Sequence, residues 1–384
     1  MRYIGNKTRL LDFIFGVLDD RGIRPGRAVD PFTGTASVAR ALKERGFRVV
    51  AADIMHYSYV FGRAYVAVTG EPDFSGIAEE LGTAASGEAS DHAGEARHAR
   101  HAASNGPGDA APAGPGAGDV VAYLNSLPRR PGFVHRHFSP RGEVGRRFGR
   151  MYFTTANAAR IDAIRDTLHD WHESGRLDDD GFHVLLAALL EAADRVANTT
   201  GVYASFVKTW QPNARRRLKL RPPAIVPGNG CRAEQRDALE LVRDEPDFDL
   251  LYLDPPYNAR QYPGYYHVPE IIATGWYDGR VQLRGKTGLM PDEELRSDWS
   301  RRGRCEDAFE ELVATARWRH LVMSYNGEGI IPEGTIERVL KANGRAGTYR
   351  KYRRDYKRYR SDADGENRNY AGDRVEEYLY CVDR

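Results

Sequence analysis

Asp254-Pro255-Pro256-Tyr257 places a carboxylate, two ring-constrained backbone carbonyls and an aromatic face in four consecutive residues. Such a set suits the alkylation of an aromatic amine. The nitrogen lone pair of that amine is delocalised into its ring, so a catalyst must favour the pyramidal nitrogen that develops as the new bond forms. Acceptors for its two hydrogens do this. The Asp254 carboxylate takes one and the Pro255 carbonyl, stiffened by Pro256, takes the other, as preorganised electrostatic stabilisation. Tyr257 adds a ring on which a planar base can stack. No metal is required. Four specified residues in a row arise by chance in a chain of this length about once in several hundred cases. The bland alternative is a proline-stiffened strand exit.

A second candidate, Asp30-Pro31-Phe32-Thr33-Gly34-Thr35-Ala36-Ser37, lies between a predicted strand and a predicted helix. In an open α/β sheet that connection opens a ligand crevice. Gly34 allows close backbone approach, and Thr35 or Ser37 is expected to cap the helix whose N-terminal amides face the ligand. Asp53 follows about 20 residues on, where a carboxylate accepts from a ribose diol. Asp30, Phe32, Gly34, Thr35 and Asp53 are therefore expected cofactor-binding residues, although a glycine turn on its own is more often a simple connection.

The elements that must hold these motifs can be read from periodicity. Lys7 to Leu18 is amphipathic, 27–30 and 47–53 are strands, and 37–45 is a helix, which together open a doubly wound α/β sheet. Residues 157–171 and 182–197 predict helices, followed by a basic, loop-rich stretch from 201 to 223. Strand patterns return at 248–253 and 320–325, with a helix at 335–342 and strands near 347–351 and 376–382. Asp254 thus sits at the carboxyl end of a buried strand, the catalytic edge of this architecture. Residues from about Gly82 to Gly118 are nearly all Ala, Gly, Ser, Pro, Asp, Glu and His. That composition cannot offset its ordering entropy by burial and predicts a disordered insertion. His92, His98 and His101 within it are too loosely spaced for a metal site. The expected organisation is a cofactor-binding part over 1–75, the insertion over 80–120, a recognition subdomain over 121–225 and a catalytic part over 226–384.

A hydrophobic fraction of 41% supports one large core with room for a smaller unit. Cys231, Cys305 and Cys381 stand far apart, without disulfide or zinc spacing. A reducing cytoplasm is the expected compartment. Asp12, Asp19 and Asp20 interrupt the early apolar stretch and argue against a signal peptide, and no run of about 18 apolar residues follows. A net charge of +2 gives no global field for a polyanion, so nucleic-acid contacts must come from local clusters.

With both motifs in this order, the chain resembles the Dam-like adenine-specific DNA methyltransferases of restriction-modification type. The resemblance extends to Tyr3-Ile4-Gly5-Asn6-Lys7, to Arg236-Asp237-Ala238, to Asn258-Ala259-Arg260-Gln261-Tyr262 and to Val375-Glu376-Glu377-Tyr378-Leu379-Tyr380. It implies a Rossmann-like class I sheet with an inserted, mainly helical target-recognition subdomain. It also implies S-adenosyl-L-methionine as methyl donor and double-stranded DNA as substrate, with a cognate restriction endonuclease as a partner. Tyr3 and Lys7 would lie beside the cofactor and target pocket, Asp237 would accept from the amine of the cofactor's adenine, and Asp254 would border the donor. One departure is Ala36, where the family's loop carries a second glycine; its methyl is expected to weaken cofactor binding.

Two basic clusters are the expected DNA contacts. Lys208, Arg215, Arg216, Arg217, Lys219 and Arg221 fall in the recognition region, and Arg353, Arg354, Lys357 and Arg358 fall in the cation-aromatic run from Tyr349 to Arg360. Arg284 and Lys286 are weaker candidates. Two other readings compete with DNA adenine methylation: transfer to an RNA base, and a catalytically silent nucleic-acid-binding protein on the same scaffold. The large insertion argues against the first, and intact Asp254 and Tyr257 against the second.

Overall fold

The computed structural model describes residues 6–82, 114–228, 230–279, 281–357 and 374–384. Tyr3 and Arg358, the side chain of Lys357, and the three histidines of the insertion lie outside the described residues.

A short 3₁₀ turn leads into α1 (Leu11–Asp20), followed by β1 (Arg27–Asp30), α2 (Ser37–Glu44), β2 (Arg48–Asp53) and α3 (His56–Gly62). After a π-helical turn (Arg63–Ala67) and a 3₁₀ turn (Ser75–Ile77), the α-helices that follow among the described residues are α4 (Ala117–Ser126), α5 (Phe133–Phe138), α6 (Glu143–Phe148), α7 (Thr155–Glu173) and α8 (Asp179–Arg195). The sheet resumes with β3 (Arg232–Gln235), α9 (Ala238–Asp244), β4 (Phe248–Leu253) and α10 (Tyr262–Thr274). It closes with α11 (Cys305–Thr315), β5 (Trp318–Asn326), α12 (Glu333–Asn343), β6 (Arg350–Lys357) and β7 (Arg374–Asp383).

The seven strands run in the order β3-β2-β1-β4-β5-β7-β6. β7 is antiparallel to both neighbours, and the remaining pairs are parallel. The order reverses between β1 and β4, which neighbour one another through Ala28 beside Leu250 and Val29 beside Leu251.

Strand residues alternate between two cores. Ala28, Val49, Ala51, Leu250, Tyr252, Val322, Leu379 and Cys381 face one, and Val29, Val50, Ala52, Leu251, Leu253, Met323, Tyr380 and Val382 face the other. Burial on both faces explains the unbroken apolar runs within the strands, Ala28-Val29 in β1, Val49 to Ala52 in β2 and Leu250 to Leu253 in β4. The second core is closed by α9, α11 and α12. The first is closed by α1–α3 and α10, and the helices α4, α5, α7 and α8 bury their apolar faces in that same core.

α4 begins at Ala117, inside the span that composition predicts to be disordered. The Ala117 amide donates to Glu71 at 2.7 Å and the Gly116 amide to Asp119 at 3.1 Å, so the start of α4 is capped and Ala117 is buried. On the other side Glu80 accepts from Trp171 at 2.9 Å and from Tyr123 at 2.7 Å. Alanine and glycine read as linker; here the orphan amides of the helix are satisfied by Glu71 from outside and by Asp119 of its own first turn. No helix among the described residues is long and apolar enough to cross a membrane.

Candidate active site

A cleft of about 900 Å3 opens at the carboxyl edge of the sheet, where the order reverses. Both motifs meet there. From the β1 exit come Asp30, Phe32, Gly34 and Thr35; from β2, Asp53; from the β3 exit, Asp237; and from the β4 exit, Asp254, Pro256 and Tyr257, with Lys7 arriving from the N-terminal segment. Pro255 is buried between its neighbours and is not among the lining residues.

The β1–α2 loop is held by β2. The Thr33 amide donates to the Ala52 carbonyl at 2.9 Å, and the Gly34 amide donates to Asp53 Oδ2 at 2.9 Å. Asp53 Oδ1 accepts from the Met55 amide at 3.0 Å. Burial pushes this carboxyl up to about 6, against the lowering effect of the amides. Gly34 sits at φ +52°, the left-handed region that glycine reaches without penalty.

The expected cap of α2 is not found. Its N-cap is Ala36, at φ +57° and without a side-chain hydrogen bond. The Thr35 and Ser37 hydroxyls instead lie 3.0 Å from each other, and Asn6 Nδ2 donates to Thr35 Oγ1 at 3.3 Å. The second left-handed residue in the loop turns the backbone before either hydroxyl can reach the helix amides. Ala36 is fully buried and is not among the cleft residues.

Asp237 is the N-cap of α9: its Oδ1 accepts from Leu239 at 2.8 Å and from Glu240 at 3.4 Å. It thereby presents its carboxylate at the mouth of the cleft.

At the β4 exit four side chains converge. Tyr257 donates its hydroxyl to Asp254 Oδ1, and the Lys7 ammonium donates to the Tyr257 hydroxyl. Lys7 Nζ lies 3.2 Å from Asp254 Oδ1 and 3.5 Å from Glu377 Oε2 on β7. Burial raises the Asp254 carboxyl to about 6, while Lys7 works in the opposite direction. Burial and the proximity of Asp254 also hold Asp30 well above the usual carboxylate range. Backbone contacts fix the tetrapeptide. The Ile330 amide donates to the Tyr257 carbonyl at 3.1 Å, and Tyr325 donates to the Pro256 carbonyl at 3.3 Å. No hydrogen bond to the Pro255 carbonyl is found among the described residues.

Several lining residues escaped the sequence reading. Leu295, Ser297 and Trp299 come from an aperiodic segment before α11. That segment is tied in by Gln261, which donates to the Ser297 carbonyl at 2.9 Å and accepts from its amide at 2.8 Å. Trp299 meets Phe32 edge-on, with ring centroids 4.7 Å apart. No periodicity marks this segment; Glu377, by contrast, betrays itself as a charge at an apolar strand position.

The expected DNA-contact residues are scattered. Lys208, Arg215, Arg216, Arg217 and Lys219 are exposed on the strap after α8, and Arg217 donates to the Asn125 carbonyl at 3.0 Å. Arg353 is already engaged by Glu376 at 3.0 Å and Asp355 at 3.4 Å, Arg354 lies over the Phe13 ring, and Arg284 pairs with Asp292 and Glu293. A third cluster went unread: the stretch 129–150 holds seven arginines against one acid, Glu143. Arg129, Arg130, Arg136, Arg141, Arg146 and Arg147 are exposed. Arg150 is buried and binds the carbonyls of His137, Gly285 and Lys286 at 2.9–3.1 Å. It joins this face to the segment that runs on to Ser297 in the cleft.

The family model for D12 class N6 adenine-specific DNA methyltransferases matches residues 3–100 and 116–315. The chain is 31% identical to the type II methyltransferase M.NlaIII of Neisseria lactamica, over 100% of this chain and 99% of that protein. It is also 31% identical to the type II methyltransferase M.FokI of Planomicrobium okeanokoites, over 100% of this chain but 53% of that protein. A third relative, the type II methyltransferase M.CviAII of Paramecium bursaria Chlorella virus 1, is 28% identical over 99% of this chain and 97% of its own length. No solved structure matches. Sheet order, the position of the cleft and the sequence matches agree, and the chain belongs to the D12 class of N6 adenine-specific DNA methyltransferases.

Proposed function

We propose that Asp254, Pro255 and Tyr257 hold the target adenine, and that the loop from Asp30 to Thr35, with Asp53 and Asp237, holds the methyl donor. The observation that carries this reading is the convergence of Lys7, Asp254 and Tyr257 at the β4 exit, across one cleft from Gly34 and Asp53.

The family's donor is S-adenosyl-L-methionine, which supplies an electrophilic methyl on a sulfonium. The residues present fit it. Four carboxylates, Asp30, Asp53, Asp237 and Asp254, line the cleft against Lys7 and Arg236, and Arg236 is itself paired with Glu234 and Asp244, which suits a cationic ligand; a left-handed glycine lets the loop backbone approach it. Asp53 and Asp237 are the acceptors for its hydroxyls and amine. Lys7 would border both ligands.

On the target side, Tyr257 and Lys7 occupy Asp254 Oδ1, which leaves Oδ2 for one amine hydrogen. Pro256 is committed to Tyr325, so the Pro255 carbonyl is the acceptor for the other. As the nitrogen–methyl bond forms and the donor's sulfur–methyl bond breaks, both acceptors stabilise the positive charge that grows on nitrogen, which is discharged when one of its N–H protons leaves. An adenine in a duplex must first leave the stack, at a cost of a few kcal/mol, and stacking on Tyr257 returns about 1–3 kcal/mol.

DNA grip falls to the strap after α8 and, more strongly, to the arginines between 129 and 147. Arg160 feels both Arg129 and Arg217 as like charges, so the two clusters adjoin across α7. Arg136 is paired with Glu143 at 2.9 Å, and the excess of exposed cations over this one carboxylate suits a phosphate backbone. The relatives' names as type II methyltransferases support a role as the modification arm of a restriction-modification system with a cognate endonuclease, acting in the cytoplasm.

Labelled S-adenosyl-L-methionine with duplex DNA tests the reading: the labelled nucleoside should be N6-methyladenosine in its deoxy form. Asp254→Asn should cut transfer by at least about a hundredfold while leaving cofactor affinity within about threefold. A variant of near wild-type rate would remove Asp254 from the mechanism.

A further inference from the structure

Glu377 is out of pattern. Its strand neighbours two and four residues on, Leu379 and Cys381, pack into the first core, yet Glu377 occupies the same face with 7% exposure. A carboxylate buried at an apolar position is costly unless a cation meets it. Because β7 runs antiparallel, its first half lies at the carboxyl edge of the parallel strands, with Glu377 opposite Asn326 of β5. There it reaches Lys7.

Three oxygens surround Lys7 Nζ: it donates to the Tyr257 hydroxyl, while Asp254 Oδ1 and Glu377 Oε2 lie at ion-pair distance, the latter buried and without a hydrogen bond among the described residues. The first two belong to the tetrapeptide itself. Among the described residues Glu377 is the anchor outside it, carried on a strand paired on both sides. We infer that Glu377 is a positioning residue for methyl transfer: it seats the Lys7 ammonium, which orients the Asp254 carboxylate and balances its charge.

The inference rests on the proposed role of Asp254. The groups facing that carboxylate are Asp30 from β1, Tyr252 and Tyr257 from β4 and its exit, Tyr262 from α10, Tyr325 from β5 and Glu377 from β7. Among the described residues Lys7 is the cation within ion-pair distance. The two charges act on Asp254 with opposite sign: Glu377 raises its pKa and Lys7 lowers it. A merely repulsive Glu377 and a positioning Glu377 therefore predict opposite outcomes on removal.

The test is the pH profile of kcat at saturating S-adenosyl-L-methionine and DNA for the wild type, Glu377→Gln, Lys7→Met and the double variant. The wild-type profile should fall on its acidic side through about 6. Glu377→Gln should move that limb up by about one pH unit and lower kcat about tenfold, with both KM values within about threefold. In the Lys7→Met background the upward move should vanish, leaving only the small downward move expected when the like charge is removed. A limb that stays in place or moves down on Glu377→Gln, or an undiminished effect without Lys7, overturns the inference. A wild-type profile with no acidic limb overturns the Asp254 reading and this inference with it. Should Glu377→Gln fail to fold, Glu377→Asp, which keeps the charge but withdraws it by one methylene, carries the same readouts with a smaller upward shift.

Discussion

Replacing Ala36 with glycine tests whether the cofactor loop has the backbone described. Ala36 sits at φ +57° and ψ +21° with its methyl fully buried. A left-handed conformation costs a residue with a β-carbon about 1–2 kcal/mol, which glycine would recover. Against this, the buried methyl is worth about 0.8 kcal/mol, and glycine's extra freedom in the unfolded chain costs about 0.4–1 kcal/mol. These contributions nearly cancel. Ala36→Gly should therefore change stability by less than about 0.5 kcal/mol, read as an unchanged urea midpoint and slope. Since Ala36 lies outside the cleft lining, titration calorimetry should find cofactor affinity within about twofold of wild type. In an ordinary right-handed helical position the same change has no strain to relieve and destabilises by about 1.5–2 kcal/mol. A loss of that size would refute the left-handed assignment, and a tenfold gain in affinity would restore the expectation that this methyl obstructs the donor.

Two further outcomes follow from the buried and basic groups. Glu270 accepts from the His56 and Tyr57 amides at 2.9 and 3.0 Å, capping α3 from α10, and burial raises it to about 7. A carboxyl raised on folding favours the native state at low pH, and that contribution is lost as pH rises through the folded value. Thermal unfolding between pH 6 and 8 should therefore show a declining midpoint that Glu270→Gln flattens; an unaltered slope would mean that Glu270 does not titrate there. Replacing Arg141, Arg146 and Arg147 together with glutamine should reduce the slope of log binding constant against log salt by up to about 2.7 on duplex DNA. Arg353→Gln, already neutralised by Glu376 and Asp355, should leave the slope unchanged. Equal effects would reassign the grip.

The elements buried on both faces were legible in the sequence: β1 and β4 end where apolar periodicity ends, and both motifs fall in one cleft. Elements without a two-sided core were not. β3 is an edge strand reading Arg-Ala-Glu-Gln with no buried residue, so nothing apolar marks it. α10 carries Pro263 and Pro269 and a kink at Tyr266, so its sequence reads as broken. Local rules failed at the β1–α2 loop because a non-glycine residue took up a left-handed turn. Charge clusters were read from the cation-aromatic run near the C-terminus and from the basic loop-rich stretch after 201. The arginines of 129–150 were equally present, but Arg353 shows that a dense basic run can be spent on intramolecular pairs. Glu377 could have been found as a carboxylate out of register, had strand alternation been applied to β7 residue by residue.

The most direct test of the account is a structure of the protein with duplex DNA and a non-reactive analogue of the methyl donor. The account predicts an adenine turned out of the helix, its amine within about 3 Å of Asp254 Oδ2 and of the Pro255 carbonyl, with its ring against Tyr257. An amine held by other groups, with residues 254–257 facing away from the donor, would contradict it.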